Sequence, residues 1–566
     1  MTRFLSLVLS LALALPLFAE KSDLSKRFDK AKDYLAEIEG HLAKSFIERE
    51  NVKGAQLVEA CKVGFSKAVD DEAFKKVKSS FRKELMAICQ DEEVASIETL
   101  LGRVRKAADK AGVEDLDVLK LADLGAASMV RSIGDPFSNL LKSEDLQKLM
   151  KQMQGEGKQD SIGVGLEPGK EGFKVSFVMY GYAGYDAGLA YGDEVLEVDG
   201  EKIGGKDLKE VQPRFAVKEG ESIVLTVKRE GWKKAYDISI TNSPRKIKDV
   251  WSTMLPGGIG YLRMTVFDLA LGANTMDALK SLQKQGMKAL ILDLRNNPGG
   301  AINAAIAVAD HFIGGKKLLT YTESNLDMSK VMPFPVPGMS DQKPEMEYRA
   351  SRKTDFEKMP LVVLVNGSSA SASEMVSGAL QDLGRAVLVG ERTYGKGIGQ
   401  TAIPLWKTQG AEFGKSAVPM LPNRFLYLTV MRYFLPSGRS IHHKGIDPDV
   451  RVLIPQMDGE TWDGVFQLRK SGDAKKFAAS IEDTLAKELA VYDGFDPAAY
   501  PGFAKFHKGL GTKLSKDRVR EEVRREVRLR VGGKAALVDM ETDTQVQRAM
   551  TILAEKLAEE SAPGNK

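Results

Sequence analysis

The chain has 566 residues, 43% hydrophobic and 28% charged, a balance that supports several buried cores and excludes a disordered polyelectrolyte. That length suits three or four domains. With 82 basic against 78 acidic residues the net charge is only +4, so neither nucleic acid nor another polyanion is expected as a partner.

Met1 to Ala19 reads as a signal peptide: Arg3 supplies the basic end, Phe4 to Phe18 the apolar core, and Ala19 the small residue before the cut. Leu17 fits the minus-three position poorly, and an uncut segment would act as a short anchor, since it is too short for a comfortable span. No cysteine follows the apolar core, which argues against a lipid anchor. The expectation is an exported protein, periplasmic or otherwise extracytoplasmic, soluble or membrane-associated. Residues 20–155 carry apolar side chains at three-to-four spacing with frequent Lys and Glu and little Pro, the pattern of a helical arm. Cys61 and Cys89 are the only cysteines in the chain. In an oxidising compartment they are expected to bridge two antiparallel helices joined near Asp70-Asp71, with two buried free thiols as the alternative.

Residues 156–245 read as mostly β. Phe173 to Met179, Glu194 to Val198 and Ser222 to Lys228 alternate or carry β-branched residues, and Lys206 to Phe215 reads as a helix. Tyr191-Gly-Asp-Glu-Val-Leu-Glu-Val-Asp-Gly200 resembles a block of PDZ domains. That resemblance makes Ile162, Gly163 and Val164 the backbone donors for a peptide's terminal carboxylate, with the peptide added as a strand. Tyr182-Ala-Gly-Tyr-Asp-Ala-Gly188 is wider than the small-residue turn of such domains.

From 246 to 455 strands and helices alternate, the pattern of an α/β core. Ala289 to Leu294 is a buried-type strand running into Arg295-Asn-Asn-Pro-Gly-Gly300, and paired glycines before a helix offer free N–H groups to a developing oxyanion. Leu361 to Val365 is a second such strand. It ends at Asn366-Gly367, and the helix that follows opens on Ser371 with Glu374 three residues on, a spacing that a capping box explains by itself. Lys396 changes the balance, because it lies between Gly395 and Gly397. A surface lysine needs no such neighbours, whereas one that approaches another backbone gains from them. A neutral lysine activates a serine hydroxyl if burial lowers its pKa, with neither metal nor histidine required, so no cofactor is expected.

The chain is identified by these blocks as a member of the carboxyl-terminal processing (tail-specific) proteases, serine peptidases with a Ser-Lys dyad. Asp293-Leu-Arg-Asn-Asn-Pro-Gly-Gly300, Gly367-Ser-Ser-Ala-Ser-Ala-Ser-Glu374, Gly390-Glu-Arg-Thr-Tyr-Gly-Lys-Gly397 and Arg432-Tyr-Phe-Leu-Pro-Ser-Gly-Arg-Ser-Ile441 resemble the family's signatures, in its order. The resemblance implies a crotonase-like spiral α/β protease core with an inserted PDZ domain and helical segments at both ends. It also implies Ser371 as nucleophile, Lys396 as general base, Gln400 as the residue that orients the lysine, and the backbone of Gly299, Gly300 and Ala372 as the oxyanion hole. Met129 to Leu141 resembles the family's approach to its PDZ domain. Two insertions depart from the family pattern, Asn325 to Phe356 and Trp406 to Arg424, and suggest a lid or an altered channel.

Residues 456–566 are again helical and charged. Lys516 to Arg530 keeps Val519, Val523 and Val527 on one side, which favours a solvated or packing helix, and Asp543 to Met550 resembles the family's C-terminal helix. The expected function is an exported endopeptidase acting on proteins with apolar C-terminal tails, as a homo-oligomer and with a possible adaptor protein. The alternatives are a catalytically silent PDZ-containing scaffold and an acyl-coenzyme A enzyme of crotonase type. A Ser-His-Asp hydrolase is disfavoured because none of the five histidines is tied by motif to Ser371.

Overall fold

The computed structural model describes residues 23–154, 161–243, 248–326, 345–351, 354–408, 422–454, 457–531 and 537–561. The predicted signal peptide and most of both insertions lie outside these residues. Among the described residues no helix is long and apolar enough to cross a membrane. The chain divides into two compact units, each assembled from separated stretches: residues 1–152, 321–347 and 397–434 form one, and 153–320, 348–396 and 435–566 the other.

The first unit includes the helices Leu24–Lys44, Gly54–Lys67, Ser79–Gln90, Ile97–Ala111 and Val118–Ser132. Asp23, Ser96 and Asp117 cap three of them with side-chain acceptors, as the N-terminal orphan donors require. Helices Gly54–Lys67 and Val118–Ser132 cross where Gly64 meets Gly125. A Cβ at Gly64 would lie 2.2 Å from the Leu124 carbonyl oxygen, so only glycine permits this approach. Their core continues into a sheet, taking in Ile403, Leu405, Leu426, Leu428 and Val430. In that sheet the long strand Arg424–Phe434 pairs antiparallel with Asn139–Lys142, Ile398–Pro404 and the end of Leu318–Ser324. The helical arm is therefore completed by a hairpin from the middle of the protein.

The expected disulfide is absent, and Cys61 and Cys89 are buried free thiols. Cys61 is turned toward Gly125, where a Cβ would lie 2.7 Å from its sulfur, so it serves as apolar filling between helices. Burial pushes both thiols up, Cys89 to about 11.

The second unit contains two sheets. In the PDZ-like sheet the strand order is Val164–Pro168, Phe173–Val178, Glu194–Val198, Ser222–Lys228, Tyr236–Thr241. Strict alternation of buried and exposed residues in the last two strands puts Ile223, Leu225, Val227, Tyr236, Ile238 and Ile240 on the inner face. Strand Val164–Pro168 is an edge, and the expected helix at 206–215 is a turn of α-helix, Leu208–Val211, running into a 3₁₀ turn. The inner face does not close on itself. It shares one core with the C-terminal helices through Trp462, Val465, Leu468, Val519, Val523 and Val527. Trp462 stacks on Trp232 at 4.4 Å, and Tyr236 donates to Asp463.

The other sheet has the order Val450–Arg451, Val387–Gly390, Leu361–Val365, Ala289–Asp293, Ile259–Met264, Val250–Leu255. The first five are parallel and the last antiparallel. Its central strands are buried at every position, which is why they read as unbroken apolar runs rather than alternating ones. Helix Thr544–Ser561 lays Val546, Ala549, Ile552 and Leu553 on one face.

Candidate active site

Three neighbouring parallel strands, Ala289–Asp293, Leu361–Val365 and Val387–Gly390, deliver the loops after them to the same end of the sheet, the usual place for a site in an open parallel sheet. The middle loop carries the serine run. Ser368, Ser369 and Ser373 are fully buried, and two of them tie loops together: Ser369 Oγ donates to the Leu294 carbonyl and Ser373 Oγ to the Asn297 carbonyl, each at 2.8 Å. Ser371 alone in the run is only half-buried. Its backbone has φ 54° and ψ −114°, far from the extended geometry of an ordinary N-cap and one of six positive-φ non-glycine residues among the described residues. Such strain costs of order 1–3 kcal/mol and persists only where the surroundings impose it. Among the groups that hold it is Glu374.

Glu374 lies on helix Ala372–Asp382, fully buried, and its carboxylate accepts four hydrogen bonds. Oε2 takes the backbone N–H of Ser371 at 2.9 Å and that of Lys396 at 2.8 Å. Oε1 takes the N–H of Gly395 at 2.7 Å and the Thr393 hydroxyl at 2.5 Å. One oxygen thus holds both residues of the expected dyad, whose backbone nitrogens are at most about 6 Å apart. Burial pushes the carboxyl up from its ordinary value against the pull of these donors, led by Thr393. Sequence reasoning noticed Glu374 only as a cap partner. Its second role had no signal in spacing, because Thr393, Gly395 and Lys396 reach it from the loop after strand Val387–Gly390.

The lysine loop is seated on a neighbouring turn. Thr393 N–H donates to the Ile446 carbonyl, His443 N–H to the Gly395 carbonyl, and Ile446 N–H to Thr393 Oγ1. Gly395 has φ 95°, and a Cβ there would come 2.9 Å from the Gly445 nitrogen. The close approach anticipated from the glycine flanks is therefore present at Gly395. Tyr394 points the other way, and its hydroxyl donates to Glu167 Oε2 on the edge strand of the PDZ-like sheet at 2.8 Å. Burial, then that bond, pushes the phenol up.

The glycine loop closes on the serine. At Gly299, φ 98°, a Cβ would lie 2.8 Å from both Ser371 Cβ and the Ala372 nitrogen. At Gly300, φ 148°, it would lie 2.2 Å from the Phe267 carbonyl oxygen. Side chains are excluded at both. Gly299 N–H is already donated, to Asn297 Oδ1 at 2.9 Å. Phe267 bonds Gly299 and Ala301, the residues on either side of Gly300, so the Gly300 N–H faces away from that ladder and Gly300 is exposed. Asn366 locks the loop from the serine side, accepting from the Asn296 N–H at 3.0 Å and donating to its side chain at 2.8 Å.

Gln400 belongs to the first unit, beside a bulge in strand Ile398–Pro404. Its amide nitrogen donates to Thr429 Oγ1 at 3.0 Å, and that hydroxyl donates to Asp135 at 2.6 Å. In the PDZ-like sheet Ile162 is buried, Gly163 has φ 74°, and Val164 is half-buried. Gly163 N–H donates to Ser161 Oγ at 3.0 Å, and a Cβ on Gly163 would lie 2.3 Å from Tyr182. The wide turn at 182–188 therefore packs directly against Gly163.

Residues 258–452 match peptidase family S41, and residues 175–229 match a PDZ domain. The chain is 32% identical over 345 residues to a carboxy-terminal-processing protease of Bartonella bacilliformis, covering 60% of this chain and 71% of that one. It is 31% identical over 339 residues to a Staphylococcus aureus protein named "Probable CtpA-like serine protease", covering 60% of this chain and 61%, less than two thirds, of that one. Among solved structures the photosystem II D1 C-terminal processing protease matches at 23% identity with a TM-score of 0.47, over 72% of this chain and 97% of that one.

Proposed function

The chain belongs to peptidase family S41, the serine-type carboxy-terminal-processing endopeptidases, and from that membership we propose that it is an exported protease that captures protein C-terminal tails and cleaves them by a Ser371-Lys396 acyl-enzyme mechanism. The observation that carries the reading is the single Glu374 oxygen shared by the backbones of Ser371 and Lys396, which fixes their separation through one rigid group. Lys396, in its neutral form, takes the Ser371 proton as Oγ attacks the scissile carbonyl. The oxyanion accepts from the N–H groups of Gly300 and Ala372. Gly299 contributes only if its N–H leaves Asn297. The Lys396 ammonium then protonates the departing amine, and the base it regenerates deprotonates the water that hydrolyses the acyl-enzyme. Gln400, carried by resemblance, is kept as the lysine-orienting residue. Substrate tails dock on the backbone of Ile162 to Val164 along the edge strand Val164–Pro168, Gly163 contributing its N–H only if it leaves Ser161 Oγ. Export by Met1 to Ala19, self-association through the end segments and use of an adaptor belong to the same proposal. A silent scaffold would have no use for a strained, half-buried serine beside a lysine held by the same carboxylate.

The test is turnover of a disordered protein with an apolar C-terminus by the protein and its Ser371→Ala variant. A loss of at least about a thousandfold is expected. Equal turnover removes Ser371 from the mechanism.

A further inference from the structure

The glycine loop starts from Arg295, whose guanidinium is buried and has all five N–H donors engaged. Nε donates to both Asp293 oxygens at 3.0 and 3.1 Å, and Nη2 to Asp293 Oδ2 at 2.6 Å. The fork then continues outward onto Asp543 in bidentate fashion, Nη1 to Oδ1 at 2.9 Å and Nη2 to Oδ2 at 2.7 Å, while Nη1 also reaches Gln545 Oε1 at 3.0 Å. Asp543 accepts the Val546 N–H at 3.0 Å, so it both starts the C-terminal helix and grips the loop. Asp293 cannot do this alone, because it also accepts from the Tyr261 hydroxyl at 2.5 Å and faces Arg263 at 3.6 Å. Two buried guanidinium groups would share one carboxylate. Asp543 brings the second negative charge and restores neutrality.

We propose that Asp543 is a positioning residue of the peptidase reaction: from the start of the C-terminal helix it fixes Arg295, and through Arg295 the loop that presents Gly300 to the oxyanion. The inference rests on the reading of Ser371 and Gly300 given above. Helix Thr544–Ser561 already has four buried apolar side chains to attach it to the sheet. A buried ion pair adds little net stability beyond such contacts. A bidentate guanidinium–carboxylate pair does fix direction, and Arg295 is followed at once by Asn296 with φ 60° and the turn to Gly299. Oxyanion donors are sensitive to displacements of about 1 Å, at a loss of about a hundredfold.

The experiment uses the full chain with Asp543→Asn and Asp543→Ala, beside Val546→Ala as a helix-loosening control and Ser371→Ala as the mechanistic one. kcat and KM are measured on one peptide substrate, and Tm on each protein. Asp543→Asn, which is isosteric but uncharged, is expected to lower kcat about tenfold to a hundredfold with KM within about threefold. Val546→Ala is expected to lower Tm while leaving kcat unchanged. If Asp543→Ala does not fold, Asp543→Asn carries the comparison. A kcat within twofold of the parent, or a change confined to Tm and KM, overturns the positioning role. Full turnover by Ser371→Ala overturns the reading beneath it, and the two failures are told apart by that variant.

Discussion

In the proposed mechanism the chemistry turns on Lys396, and its substitution by Arg separates charge from basicity. The guanidinium keeps the positive charge but does not give up a proton at working pH, so Lys396→Arg is expected to lose kcat by about a thousandfold or more with Tm within a few degrees of the parent. A fully active variant would end the general-base assignment. Asp293 makes a different prediction, about acid. Burial alone would raise its carboxyl, but Arg263 and Arg295 hold it down to about 2, below the ordinary 3.8. A depressed folded-state value means that the group stabilises the fold above the unfolded pKa and loses that contribution as pH falls through the folded one. On the order of 2 kcal/mol should therefore disappear between about pH 4 and pH 2, and urea midpoints measured across that range should shift less in Asp293→Asn than in the parent. An equal shift in both would assign acid sensitivity to other carboxylates.

The lysine loop depends on a glycine that no spacing rule singles out beyond its flanking position. Gly395→Ala forces a side chain into φ 95° and against the Gly445 backbone, so a loss of about 1–3 kcal/mol and a fall in kcat are expected together. Thermal unfolding and kinetics on the same preparation check it, and an unchanged Tm would mean the loop relaxes freely. How much of this was legible in the sequence depended on distance along the chain. Buried strands Ala289–Asp293 and Leu361–Val365 were legible within a residue because short continuous apolar runs bounded by turns have few other uses. Ser371 and Lys396 were singled out through their loops, and the structure brings their backbones together on Glu374. The fourfold role of Glu374, the grip of Asp543 on Arg295 and the bond from Tyr394 to Glu167 were not, since each joins elements tens to hundreds of residues apart. The sequence left Cys61 and Cys89 between a bridge and two free thiols for a related reason: the expected compartment argues for oxidation, but only packing decides the geometry, and the structure has both as buried free thiols.

For the whole molecule, tail recognition predicts discrimination against an uncharged terminus. Replacing the free C-terminal carboxylate of a substrate peptide by an amide removes a charge-assisted acceptor, with a net effect of roughly 1.5–3 kcal/mol, so binding should weaken about tenfold to a hundredfold. Calorimetry on Ser371→Ala protein measures this without cleavage, and equal affinities would leave the PDZ domain a purely architectural part. Its architecture has a consequence in time as well. The apolar face carrying Ile223, Leu225, Trp232 and Tyr236 is covered by Trp462, Val519, Val523 and Val527. More than two hundred residues of chain intervene. At about 5–20 residues per second, synthesis of that stretch takes on the order of tens of seconds, during which the nascent sheet has no cover. The PDZ domain, early in the sequence, is thus among the last parts to be finished. A chain stopped at residue 456 should bind a hydrophobic dye and aggregate, whereas the full chain should not. Folding of this sheet must await synthesis of the helices that carry Trp462 and Val519 to Val527.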